Sequence, residues 1–372
     1  MFKKIPLFKV NMPKGISVDS LLHSGFIGQG DYVDDFENKF AQHFKLDIDK
    51  IVSLNSCTSA IELALELENV SEGDDIVTTP YTCLATNVHI VKKKANIVWY
   101  DIDRISGLAK LENIKKVITE KTKIVIITHI SGSITEELEE ILMFCHQKGI
   151  KVIEDAAQSL GSKFHGEYMS KDSDYVAFSF QAIKHLTTID GGILYCKDYE
   201  KAKEGKLLRW FGFDRTISSD FRCAQDVKKV GMKIHMTDIN AFIGIESLKT
   251  IDDIVNKHIE NAKKYEKMLS LIDGISVSHQ IKSGSSFWVY PILVENNRDG
   301  LKKYLEQNGI HSSLVQNRLD RMSCFEQFFK SMPNLSYFMK RILHIPCGWW
   351  VTNEDIEYIV KTIKEYIDKG NI

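Results

Sequence analysis

Between about residue 50 and residue 200 the chain repeats one pattern: a short, uninterrupted apolar run rich in Val and Ile, then a segment whose apolar residues recur at helical spacing. Ile51-Val52-Ser53-Leu54 leads into 59–67, where Ile61, Leu63, Ala64 and Leu67 mark one helical face. Ile76-Val77 precedes a helical stretch that reaches Val91, and Ile97-Val98-Trp99-Tyr100 reads as a strand. A strand over 123–128 and a helix over 136–148 follow, with further strands at 151–154, 175–180 and 192–196. Strands without polar alternation are buried on both faces. The pattern therefore predicts an α/β fold on a mostly parallel sheet, with helices on each side.

After about residue 245 the texture changes to a long charged helix over 252–269, an extended run over 286–293, a helix over 300–307 and a terminal helix over 355–367. That reads as a smaller α+β domain. With 372 residues to divide, the chain splits into a large domain, 1–250, and a small one, 251–372. Forty-eight basic against 50 acidic residues leave a net charge of −2, which offers a polyanion no bulk attraction and argues against a nucleic-acid partner. No stretch approaches the roughly 18 apolar residues that a membrane span needs. The basic start, Met1-Phe2-Lys3-Lys4-Ile5-Pro6-Leu7, lacks the apolar run of a secretory signal, so a cytoplasmic location is expected. Seven scattered cysteines without a CxxC pair point to reduced thiols and to no metal. Gly28-Gln29-Gly30-Asp31-Tyr32-Val33 is only half of a dinucleotide fingerprint, because Val33 stands where the third glycine belongs, and neither GxxxxGK[ST] nor HExxH occurs.

Three stretches carry chemistry. Asn55-Ser56-Cys57-Thr58-Ser59-Ala60 falls between a strand and a helix; small hydroxylated residues there either cap the helix or, with the exposed amides, form an anion site. Glu154-Asp155 ends an apolar strand, the edge where open parallel sheets bind ligands. The two carboxylates point to opposite faces, so one of them can serve a given pocket. Lys184 follows another apolar strand, between Ile183 and Leu186 and ahead of Gly191-Gly192. A lysine so placed is either a solvated surface residue or a desolvated amine able to form Schiff bases.

In this order and at these separations, Gly28-Gln29-Gly30 with Phe36-Glu37, Asn55–Ala60, Glu154–Gln158, Phe178–Lys184, Gly191-Gly192 and Gly231–Thr237 together resemble the pyridoxal-phosphate sugar aminotransferases of the DegT/StrS family. The resemblance covers nearly the whole chain. It implies a fold-type-I architecture like that of aspartate aminotransferase, and a homodimer with active sites at the subunit interface. It implies that Lys184 holds pyridoxal 5'-phosphate as a Schiff base and shuttles protons. Asp155 would pair with the pyridine nitrogen, Gln158 would lie by the phenolic oxygen, and Ser179 with Cys57 and Thr58 would cup the phosphate. The implied reaction takes an amino group from L-glutamate, leaving pyridoxamine phosphate, and passes it to a nucleotide-linked keto sugar, foremost a 4-keto-6-deoxyhexose.

Two positions depart from the pattern of the relatives. Cys83, in Thr82-Cys83-Leu84-Ala85-Thr86, stands where many carry an aromatic residue that stacks on the cofactor. Lys233 stands where many carry Asn reaching the neighbouring subunit's phosphate, a contact that an ammonium point charge also suits. On the substrate side Gln29 and His185 flank recognised motifs and are the first candidates. Arg209, Trp210 and Arg215 are further ones, and Trp349-Trp350 belongs either to a sugar-nucleotide groove or to the core. Two other functions fit the fold: a sugar dehydratase, which would carry His in place of Lys184, and a sensor that binds the cofactor without turnover.

Overall fold

The computed structural model describes residues 4–25, 27–168, 171–217, 224–277 and 284–370. Its strands are β1 (Ile51–Leu54), β2 (Asp75–Thr78), β3 (Asn96–Trp99), β4 (Thr122–Thr128), β5 (Lys151–Asp155), β6 (Lys163–Phe164), β7 (Glu167–Tyr168), β8 (Tyr175–Ser179), β9 (Gly192–Cys196), β10 (Ile275–Val277), β11 (Tyr290–Val294) and β12 (Ile342–Ile345). The apolar runs pair into a seven-stranded sheet of order β1-β9-β8-β5-β4-β2-β3. Only β9 opposes the common direction, antiparallel to both β8 and β1. Successive side chains of a strand face opposite ways: Ile124 and Ile126 of β4 enter the core on one face of the sheet, while Val125 and Ile127 enter the core on the other. That is why these strands read as continuous apolar runs.

The helix Cys57–Leu67 packs on the first face. The second carries the helix Asp31–Phe44, whose Phe36, Phe40 and Phe44 fall four residues apart; Phe36 meets Phe180 and Phe40 meets Phe178 edge to face, and Phe44 packs on Phe40. Strands β10, β11 and β12 form an antiparallel sheet, with register Tyr290↔Ile345 between its last two strands. The amphipathic helices Ile251–Leu269, Arg298–Gln307 and Asn353–Asp368 contribute to its core. The expected extended run over 286–293 is corrected in its first half. Phe287 adopts φ 48°, in the left-handed region, and the strand begins only at Tyr290. The chain turns there to pass Gly132, where a Cβ would lie 2.6 Å from the Phe287 nitrogen. A division near residue 250 remains a proposal, and one short segment crosses it: Ile5 bridges Ile310 and enters the core of the antiparallel sheet.

Candidate active site

Because six strands run one way, their carboxyl ends share an edge, and loops on that edge build ligand crevices in open α/β sheets. Asp155 is the last residue of β5 and Ser179 the last of β8, both buried, and the turn at Asn55-Ser56 follows β1. The Ser56 hydroxyl accepts from the Ser59 amide at 3.1 Å and the Ser56 carbonyl accepts from Ala60 at 3.1 Å. The first of these satisfies one orphan donor of the helix Cys57–Leu67, and the second is its first regular helical bond. The amides of Cys57 and Thr58 remain at its positive end, where an anion is favoured. Gly192 lets β9 lie against this turn: a Cβ there would sit 2.5 Å from the Cys57 nitrogen. Burial pushes the Cys57 thiol well above its ordinary value, so it stays neutral.

Lys184 is partly buried in the loop after β8, with Asp155, Cys57 and Cys83 as its electrostatic neighbours. Desolvation lowers its ammonium to about 8, with the Asp155 carboxylate opposing the shift. Asp155 is fixed in turn. Its Oδ2 accepts from the Thr86 hydroxyl at 2.6 Å, Thr86 pairs with Thr82 at 2.7 Å, and the Ala157 amide donates to Oδ1 at 3.1 Å. Glu154, one residue earlier, faces the other way and lies 2.6 Å from His129 in the core. Cys83 is exposed, at the start of the helix Leu84–Lys92.

The Gln158 side-chain oxygen accepts from the Ser131 amide at 2.8 Å, which leaves its NH2 as a donor for a ligand. Ser131 adopts φ 58°, in the left-handed region that non-glycine residues seldom enter. Its hydroxyl is 3.0 Å from Nε2 of His344 in β12. Sequence reasoning did not single out Thr86, Ser131 or His344. Thr86 had a signal in its spacing of four from Thr82. The other two owe their place to contacts across the fold.

Lys233 lies 2.9 Å from the Trp210 ring centroid and 3.4 Å from Nε2 of His235, beside the Asn55 turn, whose amide donates to Ile234 at 2.8 Å. Gln29 and Arg215 line a separate cavity of about 640 Å³ together with Arg209, Glu37 and Asp238. The Gln29 carbonyl accepts from Arg215 at 2.7 Å. Arg209 is held in a buried ion pair with Glu37 at 2.6 Å, and Trp210 stacks under Arg215 at 4.2 Å. His185 is not on that cavity's wall. It is 5% exposed and packs edge-on against His258 at 4.6 Å. Trp350 donates to the Pro6 carbonyl at 2.9 Å, and Trp349 lies beneath Lys9. The tryptophan pair therefore anchors the N-terminal segment.

A primary amine, a carboxylate and two helix-terminal amides thus meet at one sheet edge. This set matches the aldehyde, ring nitrogen and phosphate of pyridoxal phosphate, and Gly192 leaves the turn open for the last of these. The architecture is that of the fold-type-I aminotransferases. A family model described as the DegT/DnrJ/EryC1/StrS aminotransferase family matches residues 15–364, and the chain belongs to that family. The chain is 29% identical to the dTDP-4-dehydro-2,3,6-trideoxy-D-glucose 4-aminotransferase of Saccharopolyspora spinosa, over 89% of this chain and 88% of that one. Crystal structures of AtS13 from Actinomadura melliaura and of the sugar aminotransferase CalS13 from Micromonospora echinospora superpose with TM-scores of 0.92 each. Their identities are 34% and 29%, and they cover 97% of this chain and 98% and 99% of theirs.

Proposed function

We propose that the protein is a pyridoxal-phosphate-dependent aminotransferase that moves an amino group from L-glutamate to a nucleotide-linked keto sugar, foremost a 4-keto-6-deoxyhexose. The observation that carries this reading is the meeting of Lys184 with Asp155 beside the start of the helix Cys57–Leu67. The amides of Cys57 and Thr58, with Ser179, would hold the phosphate. Asp155 would pair with the ring nitrogen, Gln158 would donate to the phenolic oxygen, and Cys83 would border the ring. Once bound, the cofactor supplies an aldehyde that captures amines and a ring that accepts the electron pair of a broken C–H bond.

The chain's own part is to position and to move protons. Burial lowers Lys184 to about 8, so at pH 7 about a tenth of it is neutral amine, against about one part in three thousand of an ordinary lysine. A base with its pKa near the working pH both accepts and returns a proton, a role worth roughly 10²–10⁴-fold. Thr86 and the Ala157 amide hold Asp155 in place by donating to its two oxygens. Gln29 supports a substrate-binding role through a buried side-chain oxygen that has no hydrogen-bond partner among the described residues. His185 would act from behind the lysine loop. In a homodimer with shared sites, Lys233 would reach the phosphate of the partner subunit.

Borohydride reduction of the cofactor-loaded protein, followed by peptide mapping, is expected to tag Lys184. A tag elsewhere, or none, removes the mechanism. Glutamate with a panel of dTDP-, UDP- and GDP-linked keto sugars then identifies the acceptor. Bleaching of the cofactor by glutamate without any aminated sugar would exclude sugar transamination, and no bleaching at all would favour a sensor. Among the described residues no helix is long and apolar enough to cross a membrane, and no cluster could hold a metal ion.

A further inference from the structure

Among the described residues the Lys184 Nζ makes no hydrogen bond; its direct partner is the face of Trp288, 3.8 Å from the ring centroid. The same indole donates from Nε1 to the carbonyl of Ile183 at 2.8 Å, so one side chain holds both the lysine's charge and the backbone immediately before it. Trp288 is 5% exposed and is itself braced. Phe8 stacks on it at 4.8 Å with 29° between the rings, and Leu7, Ile183, Val289 and Val315 close the cluster. The N-terminal segment that delivers Phe8 is pinned on both sides, by Ile5 bonded to Gly309 and His311 and by Pro6 bonded to Trp350. An aromatic face attracts an ammonium most strongly where water is excluded, and Trp does so best.

We propose that Trp288 is a positioning residue for Lys184: its indole face receives the ammonium whenever the amine is not covalently engaged, and its N–H fixes the lysine loop. The proposal deepens the reading of Lys184 as the proton-moving amine and rests on it. The charged and titratable groups around Lys184 are Asp155 at the end of β5, Cys57 and Cys83 at two helix starts, and His185 beside it. Asp155 and Trp288 favour the charged amine, and burial opposes them. Phe8 reaches the site only through Trp288.

The test uses the full-length protein freed of cofactor, with the pH dependence of Lys184 acetylation by acetic anhydride read by peptide mass spectrometry. In Trp288→Leu the midpoint is expected to fall by about 0.5–1 pH unit, since the ammonium loses its aromatic partner. A looser pocket that merely admitted water would raise the midpoint, so a fall separates positioning from packing. Trp288→Phe keeps a weaker face and should fall less, and it serves the same test if the leucine variant does not fold. A midpoint unchanged or raised in whichever variant folds overturns the proposal. Because the readout needs no cofactor, it stands apart from the borohydride experiment. A failure there removes the Schiff-base role and leaves the Trp288 result intact.

Discussion

Thr86 tests whether Asp155 is held or merely present. Its hydroxyl is buried and donates to the carboxylate at 2.6 Å, and valine is nearly isosteric without the donor. In Thr86→Val the carboxylate keeps the Ala157 amide but loses its side-chain donor, at an expected cost of about 1–3 kcal/mol in urea unfolding. Turnover is expected to fall further than stability explains, with Thr86→Ser recovering most of both. Equal turnover in the valine variant would mean that Asp155 needs no such support. The contrast between these residues explains what the sequence could disclose. Lys184, Asp155 and Gln158 stand next to strand ends, so a local pattern locates them. Thr86 is visible as a partner only once its helix turns it toward β5. Trp288 lies more than a hundred positions from the lysine it touches, inside a run that reads as an ordinary buried strand. His185 shows the reverse: its neighbours in sequence suggested a wall of the substrate site, whereas the fold turns the ring inward onto His258.

At the scale of elements, the packing of β9 against the start of the helix Cys57–Leu67 is the joint on which the proposed phosphate site depends. A methyl group at Gly192 would meet the Cys57 nitrogen and the Ser56 carbon at 2.5 Å, and both are backbone atoms with little room to give. Gly192→Ala is therefore expected to cost about 1–3 kcal/mol and to weaken cofactor binding measured by titration. Gly28→Ala, where a Cβ meets nothing within 4 Å, serves as the control. If the two variants bind cofactor alike, the turn does not hold the phosphate. The apolar runs made the sheet legible, but not the direction of β9: Gly192-Ile193-Leu194-Tyr195-Cys196 is as continuous as any parallel strand, and its reversal comes from the long loop through Lys184 that returns it beside β8. The helix Asp31–Phe44 is a different case. Its buried residues, Val33, Phe36, Glu37, Phe40, Ala41 and Phe44, do recur at helical spacing, but the stretch lies ahead of the strand–helix alternation that makes the rest of the domain legible. The place of Ile5 in the core beside the antiparallel sheet has no local sign, since a single bridged residue leaves no period to read.

Across the whole molecule, buried histidines set the response to acid. His258 and His344 are both fully enclosed, and desolvation lowers each to about 4. The unfolded chain protonates these rings near 6.5 while the folded chain does not, so their contribution is complete above pH 6.5 and is lost as pH falls from there toward 4. This pair gives a slope of up to about 2.7 kcal/mol per pH unit inside that window, to which His185 and His235, whose rings burial also depresses, add their own share. Urea midpoints between pH 7 and pH 4.5 should fall with pH, and His258→Gln with His344→Gln together should make the fall shallower, leaving the part that His185 and His235 contribute. A flat profile in the unaltered protein would show that these rings protonate in place. The largest scale is the assembly, which a single chain's sequence suggests only through resemblance and its fold only through Lys233. That residue sits by its own chain's Asn55 turn, so it could serve its own phosphate site or a partner's. Mixing separates the two. In a two-fold dimer with shared sites, a Lys184→Ala protomer paired with a Lys233→Ala protomer concentrates both defects in one site and leaves the other intact. Dissociating and reassociating the two inactive variants at random makes about half of the dimers mixed, each with one working site, and should restore about a quarter of the unaltered activity. Sites contained within one chain would restore nothing above the sum of the variants, and that result would end the proposal that Lys233 acts across the interface.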